Sequence, residues 1–224
     1  MSNSVKLKRL CVTAMMCAVA MVLVFCVRIN VQFLTIDIKD AVLCVVSLLF
    51  GPIYGLFSSA VVAFLEYITV SSTGVYGLVM NFISSASFTM IAGFVYYRRR
   101  NIKAATIGLV LAVVFMTVFM IVANLFITPF YMKTTREAVV ELILPLLLPF
   151  NVLKGALNAA LTLIIYKPVS AAVKRFTATS GEGIEAQKKR FSYKTAVVST
   201  VAAIVICATV LVLLLVFNGK FTVF

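Results

Sequence analysis

Long apolar runs separated by short polar breaks set the plan of this chain. The first run covers about 10–27, behind a basic arm holding Lys6, Lys8 and Arg9. A hydrocarbon layer of ~30 Å takes ~20 helical residues, so this run is one span. It is too long for the apolar part of a signal peptide, and further spans follow, so it reads as a retained first helix. The polar break at 28–40 is rich in β-branched residues. It predicts a short extended loop or hairpin over the mouth of a bundle. There Asp37 and Asp40 flank Lys39, and a local ion pair is the plain expectation.

The next run, 41–68, is too long for one ordinary span and is interrupted by Gly51-Pro52. Proline removes a donor and clashes with the preceding turn. Either the helix kinks there or the chain turns back. With a basic, cytoplasmic N-terminus, only a turn puts Arg98, Arg99 and Arg100 inside as well, so two spans are expected. Span four is about 78–97, after the turn-rich stretch 71–77. Span five is about 104–126, broken by Thr128-Pro129. Span six is about 142–166. A polar, basic stretch from Lys167 to Lys194 reads as a cytoplasmic linker, and 196–217 as a seventh span. The implied division is a six-helix membrane domain at 1–170, a linker at 171–195 and an extra helix with a short tail at 196–224.

Composition agrees with an all-α polytopic membrane protein. The 224 residues are 63% hydrophobic with a mean hydropathy of +1.13. A net charge of +13 suggests nucleic acid at first. The basic residues instead sit beside apolar spans, fourteen on the expected inner side against five outside. That is the positive-inside pattern of a multi-pass membrane protein, not a nucleic-acid footprint. The five cysteines lie in or beside apolar runs without a CxxC pair, and read as packing residues.

Enzymatic readings do poorly. The chain has no histidine, no paired intramembrane carboxylates and no GxxxxGK[ST] phosphate loop. Glu66 stands alone near a span end. No catalytic residue and no metal site is expected.

Polar residues inside the spans carry the candidate chemistry. Asn151 and Lys154 share one helical face in span six. A Lys at mid-membrane costs roughly 2.5–3.5 kcal/mol. Its own span offers no carboxylate, and Glu141 is more than two turns away. The pair should therefore face the protein interior or a solvated cavity, where a ligand can complete its hydrogen bonds; the plainer reading is a Lys snorkelling to an interface. Asn81 and Asn124 fall at the same outer depth. Amides offer donors and acceptors, as the edge of a flat heteroaromatic ring requires. Phe33, Phe82, Phe126, Phe130, Tyr131 and Phe150 are available as apolar walls, though for each one packing or lipid contact is the commoner role. On helix one, Ala14 and Ala18 make a small-xxx-small groove, suited to a partner helix or to ordinary packing inside the bundle.

These residues also carry a resemblance. Ala14 and Ala18, the loop Thr35-Ile-Asp-Ile-Lys-Asp40 with Phe50-Gly-Pro-Ile-Tyr-Gly55, the stretch Gly74-Val-Tyr-Gly-Leu-Val-Met-Asn81-Phe, and the pair Asn124-Leu-Phe-Ile-Thr-Pro-Phe-Tyr131 with Pro149-Phe-Asn-Val-Leu-Lys-Gly155 resemble the S components of energy-coupling factor (ECF) vitamin transporters. The likeness is greatest to the riboflavin-specific type and covers roughly 10–166. It implies a six-helix subunit that captures riboflavin outside the cell, through Thr35, Asp37, Lys39, Asp40, Asn81, Asn124, Thr128, Asn151 and Lys154. It implies docking of a transmembrane coupling subunit on Ala14 and Ala18, and ATP use by two partner ATPases, with the whole subunit toppling in the bilayer. Riboflavin is then cargo rather than cofactor, and whether FMN also binds stays open. A seventh helix departs from the family pattern. The alternatives are an S component for another water-soluble vitamin, a non-transporting membrane scaffold, or an ion-coupled carrier.

Overall fold

The computed structural model describes residues 3–31, 33–71, 73–177, 202 and 222–223. Helix α1 (Asn3–Cys26) leads into a hairpin of β1 (Arg28–Val31) and β2 (Leu34–Asp37). Helices α2 (Lys39–Phe50), α3 (Pro52–Thr69), α4 (Gly74–Arg99) and α5 (Ile102–Met132) follow. The short α6 (Arg136–Glu141) precedes a π-helical turn, Ile143–Leu147, that runs straight into α7 (Leu148–Thr177). The hairpin pairs Arg28 with Asp37 and Val31 with Leu34. A two-residue strand β3 (Thr222–Val223) adds to its other edge, Ile29 opposite Val223.

Among the described residues, five helical stretches are long and apolar enough to cross a bilayer: α1, α3, α4, α5 and Ile143–Val173. Helix α2 is not among them. Its 12 residues rise about 18 Å. Every residue from Lys39 to Leu48 is buried, so α2 is an interior helix wrapped by α1, α3, α4 and α7. An apolar run without a polar face suits that position.

The break between α2 and α3 falls at Gly51. Its φ of +110° lies where L side chains are strained, and Pro52 starts α3 at the position where a missing N–H costs least. The chain therefore turns back at Gly51-Pro52 as expected, but only α3 is long enough to be a span; α2 is a short buried helix that starts earlier than expected. Lys39 and Asp40 belong to a buried helix and not to an outer loop. Arg9 lies over the Phe50 ring at 6.0 Å, and a Cβ on Gly51 would be 3.6 Å from Tyr97. The turn thus shares one end of the bundle with Arg98, Arg99 and Arg100, as the parity argument requires.

Two helix ends differ from expectation. Helix α5 runs through Pro129 and stops a turn later at Lys133, whose left-handed backbone lets its N–H reach the Pro129 carbonyl. Packed membrane helices tolerate proline where neighbours re-satisfy the freed groups. Helix α7 likewise continues past Lys167 and Pro168 to Thr177, over the start of the expected linker. The rest of that linker, and the seventh span apart from Ala202, lie outside the described residues.

The core has three parts. Phe88, Ala92, Leu109, Ala112 and Met116 lock α4 to α5. Cys17, Ala20, Leu43 and Val62 join α1, α2 and α3. Ile36, Val139, Leu147 and Phe150 seat the hairpin on the start of α7. Where α2, α3 and α4 meet, small residues let backbones approach. Ser47 Oγ donates to the Thr89 carbonyl at 2.7 Å, and a Cβ on Gly55 would lie 2.6 Å from Ser47 Cβ. Phe57, Phe64, Phe115, Phe119 and Val110 are exposed on the outer wall, as a lipid-facing surface requires.

Candidate ligand-binding site

At the hairpin end, α3, α4, α5 and α7 enclose a cavity of about 490 Å³. The helix chemistry explains who reaches it. Asn81 and Ser84 are three apart on α4, Asn124 and Thr128 four apart on α5, and Asn151 and Lys154 three apart on α7. Each pair therefore shares one helical face, and all six line the cavity. Thr35 and Leu34 come down from β2, and Glu66 from the last turns of α3. Phe33, Met80, Met120, Tyr76, Tyr131 and Phe150 supply apolar surface. Phe126 and Phe130, offered as walls from the sequence, are exposed outside the cavity, and Phe82 does not line it.

Beneath the cavity lies a cluster of buried charges. Asp37 Oδ2 accepts from Lys39 Nζ and from Lys154 Nζ, both at 2.9 Å. Lys39, only 1% exposed, also sits 3.1 Å from Glu66 Oε1. Asp40 accepts from Ser85 Oγ. Burial alone would raise the Asp37 carboxyl; the ammonium groups of Lys154 and Lys39 outweigh it and hold the carboxyl well below the usual carboxylate range.

This corrects the reading of Lys154 as a cation without a counter-charge. Its own span has none, but β2 delivers one. Lys154 is 4% exposed and does not snorkel to an interface. Glu66, read as solitary, is the partner of Lys39. Of the expected site residues, Thr35, Asn81, Asn124, Thr128, Asn151 and Lys154 line the cavity, whereas Asp37, Lys39 and Asp40 do not. Those three form the polar floor that positions Lys154.

Sequence reasoning passed over Asn158. Its Nδ2 donates to the Asp37 carbonyl at 2.9 Å and to the Lys154 carbonyl at 3.0 Å. Its Oδ1 accepts from the Ala41 N–H at 2.8 Å. Asn158 thus ties α7 to the joint between β2 and α2. Thr162, one turn on, donates to the Asn158 carbonyl at 2.7 Å. The signal was present: Asn151, Lys154, Asn158 and Thr162 form one polar stripe at spacings of three, four and four.

The cavity amides differ in what they have free. Asn124 Nδ2 donates to the Met120 carbonyl at 2.7 Å, and its Oδ1 accepts from Thr128 Oγ1 at 2.9 Å. Asn151 Nδ2 donates to the Leu147 carbonyl at 2.7 Å, but its buried Oδ1 accepts from no described residue. An acceptor of that kind beside an ammonium can read adjacent donor and acceptor atoms on a ligand edge.

Helix α1 contributes nothing to the cavity. Ala14 and Ala18 are exposed on its outer face, with Met15, Val19 and Val22, while Val12, Cys17, Ala20 and Val24 point inward. The small-residue groove is a surface feature and not part of the internal packing.

A polytopic bundle with an enclosed polar cavity at one end and a small-residue groove on its flank defines a membrane protein built to hold a small molecule. Comparison with known proteins makes the class specific. Residues 8–166 match the family described as "ECF transporter, substrate-specific component". The chain is 32% identical over 111 residues to the riboflavin transporter RibU of Staphylococcus aureus, covering 48% of this chain and 58% of that one. It is 31% identical over 120 residues to the riboflavin transporter FmnP of Bacillus subtilis, covering 50% and 62%. The matched stretches thus span about three fifths of these relatives. Among solved structures, the S component of a bacterial ECF transporter superposes with a TM-score of 0.64 at 29% identity, over 76% of this chain and 99% of that one. The chain belongs to the family of substrate-specific components of ECF transporters.

We predict that Asp37→Asn, which strips the shared carboxylate from two buried ammonium groups, lowers stability by roughly 3–5 kcal/mol. The measurement is the unfolding midpoint of the purified protein in detergent. An unchanged midpoint would show that the cluster contributes nothing to the fold.

Proposed function

We propose that this chain captures riboflavin from outside the cell for an ECF-type importer. The observation that carries this reading is the buried Asn151 Oδ1, which accepts from no described residue, in a cavity that Lys154 also lines and that is large enough for a small ligand. A flavin ring edge presents N–H and carbonyl groups in the matching order. Asn124 and Asn81 extend the amide surface, Thr35 and Thr128 add hydroxyls, and Phe33, Phe150 and Tyr131 offer apolar faces to the ring. Asp37, Lys39 and Asp40 support the site from below. The names of the two relatives point to the same ligand. Whether FMN shares the site is a matter for the same assay.

Purified protein should carry a yellow flavin spectrum or bind added riboflavin. Asn151→Leu removes one hydrogen-bonding group, a loss of roughly 1–3 kcal/mol, or about one to two decades in affinity. Its fold should persist, because among the described residues the amide bonds only to the Leu147 carbonyl one turn back. Lys154→Met is the less clean variant, since it also breaks the Asp37 pair. Riboflavin binding by Asn151→Leu as tight as the parent's would refute this site; failure of the parent to bind any flavin would favour another vitamin or a scaffold.

The partners proposed are a transmembrane coupling subunit, docking on Ala14 and Ala18, and two ATPase subunits. An exposed groove of small residues admits a helix to close range. Ala18→Trp should leave riboflavin binding to the isolated protein intact while uptake in cells with the full transporter falls. Lost binding in a well-folded variant would place the groove within the binding unit instead.

The orientation proposed puts the N-terminus, the Gly51 turn and Arg98–Arg100 in the cytoplasm and the cavity mouth outside, following the basic residues. Single cysteines at Tyr54 and Tyr76 test it in intact cells. An impermeant thiol reagent should mark the Tyr76 position and spare Tyr54; the reverse pattern, or equal labelling, would overturn the assignment.

A further inference from the structure

Helices α4, α5 and α7 bring amides and an ammonium to the cavity; α3 and α4 also bring Glu66 and Ser84, which have no role in that proposal. Glu66 is 5% exposed. Its Oε1 is held by Lys39, but its buried Oε2 accepts no hydrogen bond from any described residue. Ser84 is 2% exposed, and its Oγ is unpaired in the same sense. That is unusual for a helical serine, which commonly donates to a carbonyl one turn back. Ser87 does so to Ile83, and Thr89 to Ser85. Buried polar atoms are rarely left unpaired, so two on one cavity wall point to a ligand that completes them.

Their chemistry says which part of a ligand this is. A carboxylate oxygen only accepts, so Glu66 needs a donor. A serine hydroxyl both donates and accepts. Aliphatic hydroxyls answer both needs, since each donates its proton to a carboxylate and accepts through its oxygen. The amide wall suits a planar ring edge; the carboxylate and hydroxyl wall suits a polyol. Given the riboflavin reading, on which this rests, we infer that Glu66 and Ser84 bind the ribityl chain. Glu66 then determines specificity for flavins that carry hydroxyls at that position. Lys39 fixes the carboxylate through Oε1 and leaves Oε2 to the ligand.

The test compares riboflavin with lumiflavin, which keeps the ring and replaces the ribityl chain with a methyl group. Affinities are measured by flavin fluorescence quenching on the full-length protein in detergent. The parent should prefer riboflavin. Glu66→Gln keeps the shape and an oxygen for Lys39, and should weaken riboflavin about tenfold or more while leaving lumiflavin within about twofold. Ser84→Ala removes a hydroxyl that holds nothing in the fold, and should narrow the riboflavin preference in the same direction. Should Glu66→Gln fail to fold, Ser84→Ala decides alone. Equal weakening of both flavins would mean that Glu66 only supports Lys39, and would overturn the assignment. So would a parent without preference between the two. Binding of neither flavin by the parent would overturn the riboflavin reading and this inference together.

Discussion

One carboxylate shared between two ammonium groups holds this molecule in register. Asp37 closes β2, Lys39 opens α2 and Lys154 stands mid-way along the start of α7, and all three meet at Asp37 Oδ2. Removing ions from water costs several kcal/mol each, and only close, hydrogen-bonded geometry offsets it. Here Glu66 takes the second side of Lys39, and Asn158 bonds the backbone of both Asp37 and Lys154. The same contacts fix where the hairpin lies, because Asp37 is paired in the strand ladder with Arg28. The position of Thr35 over the cavity thus follows from an ion pair two residues further along the strand.

Much of the architecture could be read from the chain. The Gly51-Pro52 turn was legible because a glycine and a proline punctuate an apolar run, and because charge parity admits only one of two foldings. The polar face of α7 was legible as the helical spacing of Asn151 and Lys154. What was not legible is pairing across sequence distance. No periodicity links Asp37 to Lys154 or Lys39 to Glu66, so each looked either local or solitary. Asn158 was missed for a related reason: an amide amid alanines and leucines shows its use only when the backbone it serves, at Asp37 and Ala41, is in place. Pro129 misled in the other direction. Local steric rules stop a helix there, and tertiary packing carries it on.

The two ends of the bundle differ in kind. The cavity end is built from single hydrogen-bonding side chains with atoms to spare. The opposite end carries paired contacts, such as the Tyr96 and Tyr166 hydroxyls at 2.6 Å and the exposed guanidinium groups of Arg98 and Arg100 over Phe94 and Tyr97. Between them, Phe88, Leu109 and Met116 leave a filled core. Among the described residues, the cavity thus lies at the hairpin end of the bundle, lined by Phe33 and Thr35 of the hairpin and by Ser71 and Thr73 between α3 and α4.

The short buried helix also bears on how the chain enters the bilayer. Helix α2, at about 18 Å, cannot cross a hydrocarbon layer of ~30 Å on its own. It also carries Lys39 and Asp40 in its first turn. Because Gly51 folds α2 back along α3, Lys39 meets Glu66 at the open end of that pair. The Lys39 ammonium thus has a counter-charge within the helical hairpin itself, and α7 brings Lys154 to the same cluster from far along the chain.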